Sequence, residues 1–233
     1  MLEKTRAIVL HNVKYAESSI ITSLYTEQFG RLSCMVNAVR SKRTSFPASF
    51  FLPLTILEID LYHKPGRDLQ RIREMSCWLH FNSIPFQIVK STIALFIAEL
   101  LYKTIREEES NRALFDFLIH AIQLLDIKEE GIQNFHLVFL LQYMKFLGIY
   151  PFLPEHNGVN DNHPVFLLPA DAGDNEKNGF WQLAGGSLAQ LENIRLTNKT
   201  RSYLLDSIIE FYMVHFGQMT GINSLQVLKE VFQ

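Results

Sequence analysis

Only two cysteines, Cys34 and Cys77, occur among the 233 residues. They are too few for a four-cysteine zinc site or a disulfide framework, and they suit a reducing compartment. The sequence contains no GxxxxGK[ST] phosphate loop, no GxSxG nucleophile elbow and no HExxH zinc pair, so three common routes to catalysis are missing. Gly185-Gly186 lacks the spacing and the preceding strand of a dinucleotide fingerprint. The longest apolar stretch, Leu137 to Leu153, is interrupted by Gln142, Lys145 and Gly148 and falls short of the roughly 20 residues needed to cross a bilayer. Near the start, Glu3, Lys4 and Arg6 precede only four consecutive apolar residues, which predicts no secretory leader. These absences together predict a cytoplasmic protein with no membrane association. Net charge is scarce too: 22 basic and 24 acidic residues leave −2. Taken whole, that sum argues against a nucleic-acid partner, because such domains are usually basic.

What the chain does have is apolar content, 48% of residues. That is too much for a disordered chain, and a chain of this length buries roughly 70–75% of its unfolded surface without staples. Residues 1–80 are rich in Val, Ile, Thr, Tyr and Phe in short runs. Five strands are predicted, over residues 5–12, 18–26, 31–39, 52–62 and 69–77. The third alternates cleanly, with Leu32, Cys34, Val36 and Ala38 on one face and Ser33, Met35 and Asn37 on the other. Gly30 and Pro65-Gly66 supply turns, and residues 41–49 read as a loop. Five short strands with one longer excursion fit a small closed barrel of oligonucleotide-binding (OB) type, with an SH3-like barrel as the alternative.

From Ile84 the apolar period becomes helical. One stripe holds Val89, Ile93, Phe96, Ile97, Leu100 and Leu101. A second holds Leu114, Phe115, Leu118, Ile119, Ile122 and Leu125, and a third Ile132, Phe135, Phe139, Tyr143, Phe146 and Leu147. Gly131 and Gly148 punctuate them. Residues 150–183, dense in Pro, Gly, Asn and Asp, read as an irregular insertion. Helical spacing resumes from Leu188 through Phe216, and a last short helix is predicted from about Ser224 to Val231. The fold class expected is α+β: an N-terminal five-stranded OB-fold barrel over 1–80, then a mostly α-helical domain over 81–233.

Dividing the charge at that boundary changes its meaning. Residues 1–80 carry +4 and residues 81–233 carry −6. Within the basic half, Arg31, Arg40, Lys42 and Arg43 bracket the third strand. Arg67, Arg71 and Arg73 lie on or beside the fifth, the last two on one face by strand alternation. These groups suit one phosphate-tracking groove, with Tyr25, Phe29, Tyr62 and His63 as surfaces for base stacking. Solvating charges on a barrel rim are the other reading that composition leaves open.

Other chemistry is thin. Cys34 falls on the apolar face of a strand as a core thiol, and Cys77 packs beside Trp78. His156 and His163, with Glu155, Asp161 or Asp171, are the one candidate metal or hydrolytic group, short of the four well-spaced ligands of a structural site. Glu107-Glu108-Glu109 reads as a solvated helix end. Phe135, Phe139, Tyr143 and Phe146 suit either a core stripe or a docking face for an apolar peptide, with Arg112, Lys145, Arg195 and Arg201 as the cations available to a terminal carboxylate.

Particular residues add a resemblance. Ala7-Ile8-Val9-Leu10, Glu17-Ser18 followed by Thr26, Gly30-Arg31-Leu32, Arg40 with Ser41-Lys42, and Pro53 with its apolar strand are together similar, in order and spacing, to the N-terminal domain of the bacterial RecO DNA-repair family. Leu147-Gly148 with Tyr150-Pro151, and Ser224-Leu225 with Val227-Leu228, resemble steps of that family's C-terminal part. The resemblance implies an OB-fold joined to a helical domain and a non-enzymatic recombination mediator without a cofactor. Such a protein binds single- and double-stranded DNA, anneals complementary strands, and acts with RecR to load RecA onto strands coated by single-strand-binding protein (SSB), whose acidic C-terminal tail it also binds. The basic cluster Arg31, Arg40, Lys42 and Arg43 overlies the segment that the resemblance implies is DNA-facing, and Arg71 and Arg73 of the fifth strand complete the expected DNA contacts. Many relatives carry two CxxC pairs after the Leu-Gly-Tyr step. This chain has no cysteine there, so no structural zinc is expected. The rival reading is a protein-docking adaptor built on an SH3-like barrel that never touches DNA. The loop at Arg40, Lys42 and Arg43 separates the two, since a DNA binder needs it and an adaptor does not.

Overall fold

A computed structural model describes residues 2–15, 17, 19–37, 46–107, 109–150, 168–169, 172–217 and 221–232. Five strands, β1 (Leu2–Lys14), β2 (Ile20–Thr26), β3 (Gly30–Val36), β4 (Ile56–Tyr62) and β5 (Leu69–Cys77), close a barrel in the order β1-β2-β3-β5-β4. All pairs are antiparallel except one: β3 runs parallel to β5, with Ser33–Met35 against Leu69–Arg71. That single parallel pair gives the barrel its OB character and sets it apart from an SH3-like meander, in which successive strands pair antiparallel.

Alternation explains β3, whose Leu32, Cys34 and Val36 point inward while Arg31, Ser33 and Met35 are half-exposed. Leu32 and Cys34 meet Ala7, Val9, Leu24, Leu57, Ile59 and Leu61 in the barrel interior, while Val36 packs with Ile20 and Phe51. Cys34 is fully enclosed, and burial pushes its thiol up to about 12. The middle of β1 does not alternate: Ala7, Ile8, Val9 and Leu10 are all buried. A strand buried on both faces reads as a continuous apolar run, and here the second cover is helical. The helices α1 (Ile88–Thr104) and α2 (Arg112–Ile127) follow the barrel. Tyr25 of β2 lies 6.1 Å ring to ring from Phe115 of α2, and its hydroxyl donates to the Asn111 carbonyl.

The chain divides into two compact units, Met1–Asp126 and Ile127–Gln233. A buried polar clasp completes the first. The Asp126 carboxylate accepts the amide N–H groups of Asn82, Ser83 and Ile84 at 2.8–2.9 Å. Lys90, also buried, donates to the Ser83 hydroxyl and the Asp126 carbonyl. Burial alone would raise the Asp126 carboxyl. The donors on it outweigh that and hold it below its ordinary value.

The second unit contains α3 (Phe135–Phe146), α4 (Asp174–Ala184), α5 (Asn198–Phe216) and α6 (Asn223–Val231). Phe135, Phe139 and Tyr143 are core residues, and Tyr212 donates a 2.8 Å bond to the Leu140 carbonyl. Arg201 is buried too, donating to Asn134, Asn198 and the Leu196 carbonyl. The helix α4 occupies a stretch whose composition predicts irregular structure. Its Gly179 is not a breaker: a Cβ there would press within 2.9 Å of Leu196 and Thr200 side chains, so glycine allows close approach. Asp174 and Glu176 sit in the first turn, where acidic groups complement the helix dipole. Residues 151–167 and 170–171, including His156, His163, Glu155, Asp161 and Asp171, lie outside the described residues.

Candidate nucleic-acid interface

The parallel β3–β5 pair leaves a cleft beside the β4–β5 connection. Arg31, Leu32 and Ser33 of β3 form one wall. His63, Lys64, Pro65, Gly66, Arg67, Asp68 and Gln70 form the other, and Arg106, just beyond α1, completes it. Its volume is about 510 Å³. Among the described residues, four of the lining side chains are cationic and Asp68 is the one carboxylate. A second depression of about 340 Å³ continues from it, sharing Lys64, Arg67 and Gln70 and adding Tyr62, Leu69 and Arg71.

A buried glutamine holds the cationic loop in shape. Gln70 accepts from the Lys64 amide at 3.0 Å and donates to the carbonyls of Lys64 and Arg67 at 3.0 and 2.7 Å. The loop backbone is therefore satisfied from within, and the Lys64 and Arg67 side chains remain exposed. Gly66 takes a left-handed conformation with open space around it, the geometry a Pro-Gly turn requires.

The six site residues expected from sequence fare differently. Arg31 and Arg71 line the two connected depressions. Arg31 is not a dangling cation: its Nη1 donates to the carbonyls of Tyr102 and Ile105 at 2.9 and 2.8 Å, and its guanidinium lies 4.4 Å over the Tyr102 ring. Arg73 borders neither depression. The ladder slips between Asp60 and Leu61, which face Glu74 and Ile72, so Arg73 is the bulged residue and lies 3.6 Å from exposed Glu74. Arg40, Lys42 and Arg43 lie outside the described residues.

Of the four aromatic candidates, Tyr62 is 47% exposed and lines the second depression. Phe29 and His63 stack on each other at 4.1 Å beside the first. Tyr25 is removed from contention: it is 1% exposed, its hydroxyl is bonded to Asn111, and burial pushes its phenol up to about 12. Lys64, Gln70 and Arg106 escaped the sequence reading. The Lys64-Pro65-Gly66-Arg67 pattern, cations flanking a turn, was a usable signal for the first, whereas nothing local marked Arg106. Two other described cations of this unit, Arg6 and Arg112, are committed to Glu27. Arg6 pairs with Glu27 at 2.8 Å and lies over Trp78 and Phe115, and Arg112 pairs with Glu27 at 3.0 Å.

Strand order defines the first unit as an OB-type domain, and a cation-lined cleft lies on it. Residues 1–80 match the family described as Recombination protein O N terminal, and residues 85–162 match Recombination protein O C terminal. Over the full length of both chains, the sequence is 37% identical to the DNA repair protein RecO of Bacteroides fragilis and 33% identical to that of Phocaeicola vulgatus. It is 37% identical to the Flavobacterium psychrophilum protein over 98% of each chain. The chain belongs to the RecO family and has a role in DNA repair and recombination. No helix among the described residues is long and apolar enough to cross a membrane.

Proposed function

We propose that the protein is a recombination mediator that binds single- and double-stranded DNA through the barrel, anneals complementary strands, and works with RecR to load RecA on SSB-coated DNA. The observation that carries this reading is the pair of adjoining cation-lined depressions on an OB barrel, which share Lys64 and Arg67. Lys64, Arg67 and Arg71 are its exposed phosphate contacts, joined by Arg73 and by Arg40, Lys42 and Arg43 of the β3–β4 connection. Annealing needs no catalytic side chain. Cations that neutralise phosphates reduce the repulsion between two strands while leaving base edges free to pair. Tyr62, Phe29 and His63 offer flat surfaces at which bases can stack transiently. The second unit, net −4 over residues 127–233, supports protein contacts; the partners are RecR and the SSB C-terminal tail, whose own acidic groups require a local cation.

A fluorescence annealing assay with complementary oligonucleotides tests this reading. Lys64→Ala/Arg67→Ala/Arg71→Ala should slow annealing at least tenfold at low salt, and replacing Arg40, Lys42 and Arg43 by Ala should slow it further. Wild-type annealing rates in both variants would favour a protein adaptor that does not act on DNA.

A further inference from the structure

Arg106 comes from outside the barrel strands, on the segment leaving α1, yet it lines the same cleft as Lys64 and Arg67. The backbone on both sides of it is held by one residue. The Arg31 side chain donates to the carbonyl of Ile105, the residue before, and the Arg31 backbone N–H donates to the carbonyl of Glu107, the residue after, at 3.0 Å. Tyr102 strengthens the grip, receiving a second bond on its carbonyl and carrying the guanidinium on its ring. Carbonyls at a helix C-terminus lack intrahelical donors, and a cation there is favoured by the dipole. Gly30 lets the segment lie flush: a Cβ would fall 2.7 Å from the Glu107 oxygen and 2.8 Å from the Glu109 nitrogen.

This geometry separates two cations that share a wall. Arg31 cannot swing toward a phosphate without releasing two charge-assisted bonds and a ring contact. Arg106 is exposed and forms no ion pair among the described residues. Its planar guanidinium suits bidentate contact with a phosphate. We propose that Arg106 is a backbone-phosphate contact of the cleft and that Arg31 is its positioning residue, not itself a phosphate ligand. The inference rests on the DNA-binding reading above and adds a contact delivered by the helical segment to those delivered by the barrel.

The test is anisotropy titration of a fluorescent oligothymidylate with the full-length chain across a salt series. Arg106→Ala should weaken binding severalfold and flatten the salt slope by about 0.7, one phosphate on a single strand. Arg31→Lys keeps the charge but cannot hold both carbonyls and the ring. It should lose the same increment of slope and add little to Arg106→Ala in the double variant. Tyr102→Leu, which removes the ring beneath the guanidinium together with its packing on His11, supplies the same comparison if Arg31→Lys does not fold. Additive losses would overturn the positioning role. Unchanged binding by Arg106→Ala, with Lys64→Ala/Arg67→Ala still impaired, would overturn the contact and leave the DNA cleft standing. If Lys64→Ala/Arg67→Ala is also unimpaired, the cleft reading falls with it.

Discussion

Gly30 carries two constraints at once, a left-handed backbone with φ +62° and backbone atoms of residues 107 and 109 where a side chain would go. Gly30→Ala should therefore cost about 1–2 kcal/mol from conformation alone, with the clash adding to it. A urea midpoint within error of wild type would show that the close approach relaxes freely. His136 is fully enclosed in the second unit, and burial, assisted by the nearby Arg201 charge, pushes its imidazole down to about 3. An unfolded histidine titrates near 6.5. Between those values the unfolded chain binds a proton that the folded chain does not, so stability present above about pH 6.5 is lost as pH falls. The urea midpoint of the second unit should drop from pH 7 to pH 5, before carboxylates titrate, and His136→Phe should blunt that drop. An equal drop in the variant would assign the effect elsewhere. At this scale the sequence revealed residue types but not their commitments. Tyr25 and Tyr62 both sit on barrel strands as candidates for stacking. What separates them is an aromatic ring of α2 lying 90 residues along the chain, which covers the first and leaves the second bare.

Among the elements, β3 was legible because its alternation is strict, and the stripes of α1 to α3 because their apolar spacing is. The run Ala7-Ile8-Val9-Leu10 held more than its reading as a strand: four consecutive buried residues call for cover on both faces. That cover is why α1 and α2 belong with the barrel, and why Asp126 closes the unit. A fragment ending at Asp126 should unfold cooperatively by circular dichroism, whereas one ending at His80, with that outer face bare, should not. Cooperative unfolding of the shorter fragment near the full-length midpoint would contradict this account of β1. The helix α4 was hidden because Gly, Asn and Asp dominate its local composition, while Phe180 and Leu183 find their burial only against other elements. The bulge at Arg73 was equally invisible, since strand alternation assumes a regular ladder.

Across the molecule, a net charge of −2 conceals opposed halves. The first unit carries +2 and the second −4. The asymmetry matters less than its placement: acidic partners neutralise Arg6 and Arg112, while Lys64, Arg67, Arg71 and Arg106 line two adjoining depressions in which Asp68 is the one carboxylate among the described residues. Sequence could place Arg71 in this groove through strand five, but bringing Arg106 to it depends on how α1 returns to the barrel. The measurement that reaches this claim most directly is the salt dependence of single-stranded oligonucleotide affinity, wild type against Lys64→Ala/Arg67→Ala/Arg71→Ala. Loss of three phosphate contacts should flatten the log–log slope by about 2, with the melting temperature unchanged. A slope identical to wild type would mean that DNA, if bound, is held somewhere other than this groove.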